Sequence, residues 1–325
     1  MNNSDILEKP KHMTSIGGQA LIEGLMMMGP ENIAIAVRKP DGEIIIDKRP
    51  LPTRSKFSKL PIIRGAVGLF KQMVVGLKAL MFSAEFVDLE VEDDKNKEPS
   101  KIDVFFEKLF GKLFGNKLQD ALIYFSVLLS LMFSVGLFIL LPNYVADFLP
   151  FDEKTGSGKL LLNLFEGVLR IALFFTYIVS ISNLKDIKRV WQYHGAEHKT
   201  IHCYENKEEL TVENIRRYTT RHPRCGTSFM FTVMIVSILV FSATPWIGVW
   251  QNIVIRILLL PLVAGLSYEV IKFAGRSNSK IVGILNMPGL AFQRYTTREP
   301  DDSQIEVAIE AMKNVLVKDQ EADKW

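Results

Sequence analysis

The strongest constraint on the fold is an uncharged run of 21 residues, Ala121–Leu141, which is long enough to cross a lipid bilayer as a helix. Three further apolar stretches follow it, Leu160–Leu184, Phe229–Ile247 and Gln251–Ala274. Because backbone polar groups inside a bilayer must be bonded within the protein, each stretch is expected to be helical. The sequence therefore predicts a mainly α-helical membrane protein with four transmembrane helices, in contact with the lipid bilayer.

Composition agrees with this class of protein. Of the 325 residues, 48% are hydrophobic, which is high for a soluble chain. The formal net charge of +3 is small, so it does not predict a nucleic-acid partner. The two cysteines, Cys203 and Cys225, do not form a disulfide framework. No feature of the sequence indicates an oligomeric state.

Lysines and arginines are distributed unevenly among the loops between the predicted spans. Residues 183–228 contain nine of them, residues 142–158 contain only Lys154, and residues 244–250 contain none. Positively charged loops stay in the cytoplasm. We therefore predict a multi-pass protein of the plasma membrane with the 183–228 loop and both termini in the cytoplasm.

The polar residues 1–14 are predicted to be disordered, and residues 15–118 to form a cytoplasmic module with a small β-hairpin or sheet. Two β-branched runs, Asn32–Arg38 and Glu43–Arg49, flank a Pro-Asp-Gly turn and predict the hairpin. An isolated hairpin is only marginally stable, so a third strand is expected from Ala20–Met28.

The rest of this module is predicted to be helical. Pro61–Val87 carries a charged residue every seven positions, which suits either a helix at the membrane interface or a buried helix with one solvated edge. Leu89–Lys101 has the composition of a charged linker, and Asp103–Lys117 that of a short amphipathic helix.

The four spans and the histidine-rich loop 185–228 make up residues 119–275, and a cytoplasmic segment, 276–325, follows. A turn is expected at Asn286–Gly289 because it contains Pro-Gly. Asp302–Val317 is predicted to be an amphipathic helix capped by Asp302 or Ser303. Its apolar face needs a partner, either the N-terminal hairpin or the histidine segment.

Charged residues within the predicted spans are candidates for function. Glu166 and Arg170 are four residues apart and can form a pair on one helix face. Arg256 and Glu269 are expected to reach the two membrane surfaces from their helix ends. Structural pairing is favoured over a transport path, and no inverted repeat is present.

Four of the five histidines lie within Trp191–Phe229, and the segment 194–198 has the form His-x-x-Glu-His of inverted zinc-peptidase motifs. On a helix, His194 and His198 are one turn apart and can share an ion, with Glu197 beside them.

His202 continues the row but lies about 12 Å along the axis from His194, so all three rings cannot easily reach one ion. A further ligand is expected from a bent helix end, His222 or Cys225. The alternative is that these histidines are hydrogen-bonding groups at a membrane surface or in a polar core. Gly195 within the motif weakens the helix.

Several motifs together identify a family resemblance. They are Gly17–Met28, Pro61–Gly65, His194–His198, His222–Phe229, Glu269 with Gly275-Arg276, and Thr296–Pro300. The chain resembles the YqhQ-like family of uncharacterised bacterial membrane proteins from about residue 14 onward. The resemblance implies a metal-dependent enzyme of unknown substrate, with ligand positions corresponding to His194, His198, His202, His222 and Cys225.

Three functions are compatible with these observations. In the first, a divalent metal, best matched by Zn²⁺, is held by His194, His198 and one of His202, His222 or Cys225, which leaves a position for water. Glu197 is then the general base of a hydrolase acting on a lipid-linked or membrane-peptide substrate. In the second, the protein is a non-enzymatic factor that docks a membrane-protein partner, such as the machinery of membrane-protein insertion or assembly, and its metal is structural. A small transporter, based on Glu166, Arg170 and Glu269, is the third.

Overall fold

The structure is a computed structural model that describes residues 10–51, 60–86, 118–152, 155–276, 280–317, 319 and 322–324. The predicted linker 89–101 and amphipathic segment 103–117 lie outside these residues, as do positions 1–9 of the segment predicted to be disordered. Of that segment, residues 10–14 are described, and Thr14 is buried with its amide bonded to Glu205 Oε1 at 2.8 Å.

The chain divides into two compact units. The first comprises Met1–Asp88, Phe175–Ala243 and Leu258–Trp325, and the second comprises Leu89–Phe174 and Thr244–Ile257. The histidine segment belongs to the first unit, together with the N-terminal sheet and the C-terminal helix.

The sheet has four antiparallel strands in the order of the sequence, which confirms the predicted hairpin and its extension. The strands are β1 (Gly17–Leu21), β2 (Gly24–Met28), β3 (Asn32–Arg38) and β4 (Ile44–Pro50). The expected third element, 20–28, provides two strands because the chain reverses at Glu23, whose φ of 48° closes a tight turn.

Both faces of the two central strands are buried, since alternate side chains point to opposite sides. One face, which includes Leu25 and Met27, packs on helices α5 (Lys185–Glu205) and α10 (Asp302–Lys313). The other face, which includes Met26 and Ile35, packs on helix α1 (Ile63–Glu85).

Helix α10 confirms the predicted amphipathic helix, and its apolar face contacts both expected partners. Val307, Ala308 and Met312 lie in one core with the sheet and α5. The cap is Asp301 and not the predicted Asp302 or Ser303. Its side chain accepts a hydrogen bond from the amide of Gln304, whose side chain accepts one from the amide of Asp301.

Among the described residues, four helices are long and apolar enough to cross a membrane by length and composition: Ile63–Glu85, Phe125–Asp147, Gly156–Ile181 and Trp250–Ala274. The last three match predicted spans. The predicted span at 229–247 is an apolar helix of 17 residues, Gly226–Ser242, which is too short to be one of these four. The fourth is Ile63–Glu85, for which the sequence predicts either a helix at the membrane interface or a buried helix with one solvated edge.

The remaining helices follow the chain order. Helix α2 (Leu118–Val135) continues through a π-helical turn (Gly136–Leu140) into α3 (Leu141–Asp147), and α4 is Gly156–Ile181. After α5 come α6 (Val212–Arg216), α7 (Gly226–Ser242), α8 (Val249–Arg276) and α9 (Lys280–Thr296). The predicted turn at Asn286–Gly289 is wrong: α9 runs through it with Pro288 inside the helix.

In the second unit, Glu166 is buried between two arginines. It pairs with Arg170, as predicted, and also accepts a hydrogen bond from Arg256 Nε at 2.9 Å. The prediction that Arg256 reaches a membrane surface is wrong, because this side chain is 1% exposed and also bonds Asn163 Oδ1 at 3.1 Å. Burial of a charge requires a charged partner, and Glu166 provides it. In the first unit, Glu269 pairs with Arg64.

Candidate metal centre

Helix α5 places His194, Glu197, His198 and His202 on one face, and most of the helix from Tyr193 to Cys203 is buried. Gly195 is required here because the chain at 296–298 passes directly against the helix, where a Cβ would overlap the carbonyl oxygen of Arg298. The amide of Arg298 donates to the carbonyl of Trp191 at 2.9 Å. The glycine that weakens the helix in isolation therefore permits a close backbone contact.

A group of three ligand atoms forms around the first two histidines. His194, His198 and Cys225 each contribute one nitrogen or sulfur, and all three atoms lie within 4.8 Å of one another. Nε2 of His194 lies 3.1 Å from the sulfur of Cys225. The predicted residues that the structure brings together in this group are thus His194, His198 and Cys225.

The outer nitrogen of each ring is fixed by a backbone carbonyl. Nδ1 of His194 bonds the carbonyl of Thr296 at 2.7 Å, and Nδ1 of His198 bonds the carbonyl of Thr220 at 2.5 Å. Metal-bound histidines characteristically donate their second ring nitrogen in this way, which leaves Nε2 free to ligate. Nε2 of His198 is buried and lacks a hydrogen bond of normal geometry to the described residues. The residues therefore fit a divalent metal.

Cys225 lies at the amino end of α7, where it accepts a hydrogen bond from the amide of Thr227 at 3.4 Å. Burial acts to raise the pKa of its thiol, but His194 and His198 outweigh that effect and hold the pKa well below its usual range. Burial likewise acts to lower the pKa of His194, but the neighbouring Cys225, together with Glu197 and the carbonyl of Thr296, outweighs burial and raises the pKa to about 9. Thiolate is the form of cysteine that binds metal.

Glu197 lies next to this group. Its Oε1 accepts a hydrogen bond from the amide of Gly18 at 2.8 Å, and burial raises the pKa of its carboxyl group. A Cβ at Gly18 would meet the Glu197 carboxylate carbon at 3.0 Å, so only glycine at this position leaves room for the carboxylate.

His202 and His222 belong to a second group, with Glu205, whose ligand atoms also lie within 4.8 Å of one another. Glu205 already accepts hydrogen bonds from the amide of Thr14 and from Arg224, and it lies 3.5 Å from His222 Nε2. Nε2 of His202 bonds the carbonyl of Arg221 at 2.8 Å. This group is thus an internally bonded network that holds the 222–225 segment against α5.

Burial governs the titration of this network. It lowers the pKa of His202 to about 4 and that of His222 well below its usual range. Both rings are therefore neutral at physiological pH. Glu205 was missed from the sequence, although it lies three residues after His202, on the same helix face.

Gln293 of α9 fixes the His-Pro-Arg-Cys segment through its backbone. Its Oε1 accepts from the amide of His222 and its Nε2 donates to the carbonyl of His222, both at 2.8 Å. These two hydrogen bonds, and those of the histidine rings to the carbonyls of Thr220 and Thr296, are made with the backbone. No sequence motif predicts them.

The three-ligand group opens onto a cavity of about 300 Å³. Its lining includes residues 14–20, the three ligand residues, Glu197, Arg224 and Met230. A metal with three protein ligands keeps a position for water or substrate, as catalytic zinc does. The cavity gives that position room.

Together these features define a mainly α-helical protein, with helices apolar enough for a membrane, that carries a buried group of metal-ligand residues beside a small antiparallel sheet. The chain belongs to the family described as "Protein of unknown function (DUF1385)", which it matches over residues 60–318. It is also 34% identical, over 315 residues and 95% of each chain, to the "Uncharacterized protein YqhQ" of Bacillus subtilis (strain 168). No solved structure matches the chain.

Proposed function

We propose that the protein is a metal-dependent hydrolase of the bacterial plasma membrane, with His194, His198 and Cys225 as ligands of one zinc ion. The observation that carries the proposal is the convergence of these three atoms within 4.8 Å while carbonyls fix the outer nitrogens of both rings. When bound, zinc would supply a Lewis acid and lower the pKa of water in its open position.

Glu197 is the general base in this proposal. Its carboxylate lies beside the ligand group, and a raised pKa brings a carboxyl group closer to the pH at which proton transfer is efficient. Glu197 takes a proton from the attacking water and returns it to the leaving group. The amide of Gly18 orients the carboxylate for both steps.

The site is expected to act at the membrane surface. Cys225 directly precedes the apolar helix Gly226–Ser242, and Met230 of this helix lines the cavity. A substrate anchored in the bilayer would therefore reach the site while it remains in the membrane.

The test measures metal and activity on the same preparations. Wild-type protein purified in detergent should contain about one equivalent of zinc, and His198→Ala should lose it. Glu197→Gln keeps the shape of the side chain but removes the base, so it should keep the metal and lose zinc-dependent release of products from a bacterial membrane extract, followed by mass spectrometry. Metal-free wild-type protein would refute the proposal.

A non-enzymatic membrane factor with a structural metal is the second candidate, and the Gly18–Glu197 hydrogen bond favours it because that bond alone gives Glu197 a structural role. Such a factor would dock a membrane-protein partner, for example machinery of insertion or assembly. In that case neither wild-type protein nor Glu197→Gln would release products from the extract, and both would keep the metal.

A further inference from the structure

Strand β1 has one edge without a strand partner among the described residues. Its other edge pairs with β2 from Gly17 to Leu21. Upstream on that same paired side, Thr14 forms an antiparallel bridge with Lys324 and the amide of Ser15 donates to the carbonyl of Asp323. Residues 14–21 are thus an extended run that is paired along one side.

The second side of this run faces α5 and the cavity. The amide of Thr14 donates to Glu205 on this side, and the amide of Gly18 donates to Glu197. In an antiparallel strand the amide and carbonyl of one residue point the same way, and the direction alternates along the chain. The carbonyl of Gly18 and both backbone groups of Ala20 therefore point away from β2.

This edge is accessible from the cavity. Residues 17–20 are partly exposed and line the cavity together with His194, His198 and Cys225. Gly17 and Gly18 bring no side chains, and a Cβ at Gly17 would meet open space. A second extended chain can approach the backbone here as closely as strand pairing requires.

The charges around the cavity distinguish between classes of substrate. Arg224 is the one arginine or lysine among its described lining residues, and it is paired with Glu205. A phosphate or pyrophosphate headgroup is normally held by arginines or lysines directed at it. Alternating backbone donors and acceptors, in contrast, match the backbone of a peptide.

We infer that the substrate is a peptide segment, which binds in extended form as an added strand on β1 with its scissile carbonyl beside Glu197. This inference rests on the proposed hydrolase function. The oxygen of water bonds to the carbonyl carbon, the C–N bond breaks, and the proton that Glu197 takes from water passes to the leaving nitrogen. The products are a new carboxylate and a new amine.

The experiment compares three probes on zinc-loaded, full-length protein in detergent, using titration calorimetry. Acetohydroxamic acid contacts the metal alone, a dipeptide hydroxamate adds a peptide backbone, and the third probe is the same dipeptide with its amide nitrogen methylated. The dipeptide should bind at least about tenfold more tightly than acetohydroxamic acid, as expected for one or two added hydrogen bonds. Methylation should remove most of this gain.

Two variants test the edge from the protein side. Ala20→Pro removes an amide that points toward the added strand and should reduce the gain, whereas Ala20→Gly keeps the amide and the gain. If Ala20→Pro does not fold, the methylated probe decides the matter on wild-type protein. Equal affinity for acetohydroxamic acid and the dipeptide, or full affinity of the methylated probe, overturns the peptide inference and leaves the metal site intact. Failure of the wild-type protein to bind zinc overturns both.

Discussion

The carboxylate of Glu197 accepts a hydrogen bond from the backbone amide of Gly18, 179 positions earlier in the chain, at 2.8 Å. This contact joins strand β1 to the helix that carries three of the histidines. It holds Glu197 on the cavity side of the helix, next to His194, His198 and Cys225. The sheet therefore has a direct part in arranging the candidate metal centre.

The two cysteines provide a matched pair of variants for the metal ligands. Cys225→Ala removes one of three ligand atoms and should abolish binding of zinc, or weaken it at least 100-fold. Cys203→Ala alters a buried thiol outside both ligand groups and should leave zinc binding unchanged. Zinc content after dialysis against a weak chelator measures both. Loss of zinc from the Cys203 variant alone would place the metal elsewhere.

The same cysteines should differ in reactivity when the protein is free of metal. The pKa of Cys225 lies well below its usual range because of His194 and His198, whereas burial raises the pKa of Cys203 to about 11. Thiolate is present above the pKa, so Cys225 should react with iodoacetamide at pH 6 to 7 while Cys203 stays unmodified in that range. Peptide mapping by mass spectrometry identifies the labelled residue.

Zinc should protect Cys225 from this alkylation, because a coordinated sulfur is a poor nucleophile. Unchanged labelling after addition of zinc would contradict coordination by Cys225. Labelling that is confined to pH above 9 would contradict the lowered pKa.

Gly195→Ala tests the close contact behind His194. The added methyl group would overlap the carbonyl oxygen of Arg298 and displace the segment that carries the carbonyl of Thr296. Loss of an orienting carbonyl typically lowers metal affinity about 10-fold to 100-fold. Gly68→Ala is the control, since it also lies inside a helix but its Cβ would meet open space, so affinity should not change. Competition with a fluorescent zinc chelator measures the affinities, and equal values for the two variants would contradict this role of Gly195.

Local patterns predicted much of the fold. The Pro-Asp-Gly turn between β-branched runs located the β3–β4 hairpin, and the spacing of Ile305, Ala308 and Met312 located the buried face of α10. Pro288 and the adjacent glycine led to the prediction of a turn. That prediction is wrong because Pro288 is accommodated within α9. A local signal cannot reveal such accommodation, since it depends on the surroundings of the helix.

The candidate site was predictable only as a set of residues. Helical spacing placed His194 and His198 together and made it difficult for His202 to reach the same ion, but it left His202, His222 and Cys225 all as candidates for the third ligand. The choice of Cys225 over His222 for that ion, however, depends on the path of residues 220–225, which Gln293 fixes through backbone bonds. Contacts of Glu197 with Gly18, and of the two rings with carbonyls, join distant parts of the chain and leave no periodic pattern in the sequence.

The buried ion pairs of the second unit should be essential for stability. Glu166→Leu would leave Arg170 and Arg256 buried without their shared carboxylate, at a cost of about 3–5 kcal/mol. Glu213→Leu removes an exposed partner of Arg217 and should cost less than about 1 kcal/mol. Thermal unfolding of both variants in the same detergent gives the comparison. Equal unfolding temperatures would show that the buried pairs do not stabilise the protein.

The last prediction concerns orientation in the membrane and rests on the nine lysines and arginines in the 183–228 loop, against one in the 142–158 loop and none at 244–250. Positively charged loops are retained in the cytoplasm. In a background without native cysteines, Glu209→Cys should react with an impermeant maleimide only after cell lysis, whereas Asp152→Cys and Ile247→Cys should react on intact cells. All three side chains are exposed, so a difference in labelling reports the side of the membrane rather than burial. Labelling of position 209 on intact cells would place the histidine loop outside the cytoplasm and contradict the predicted orientation.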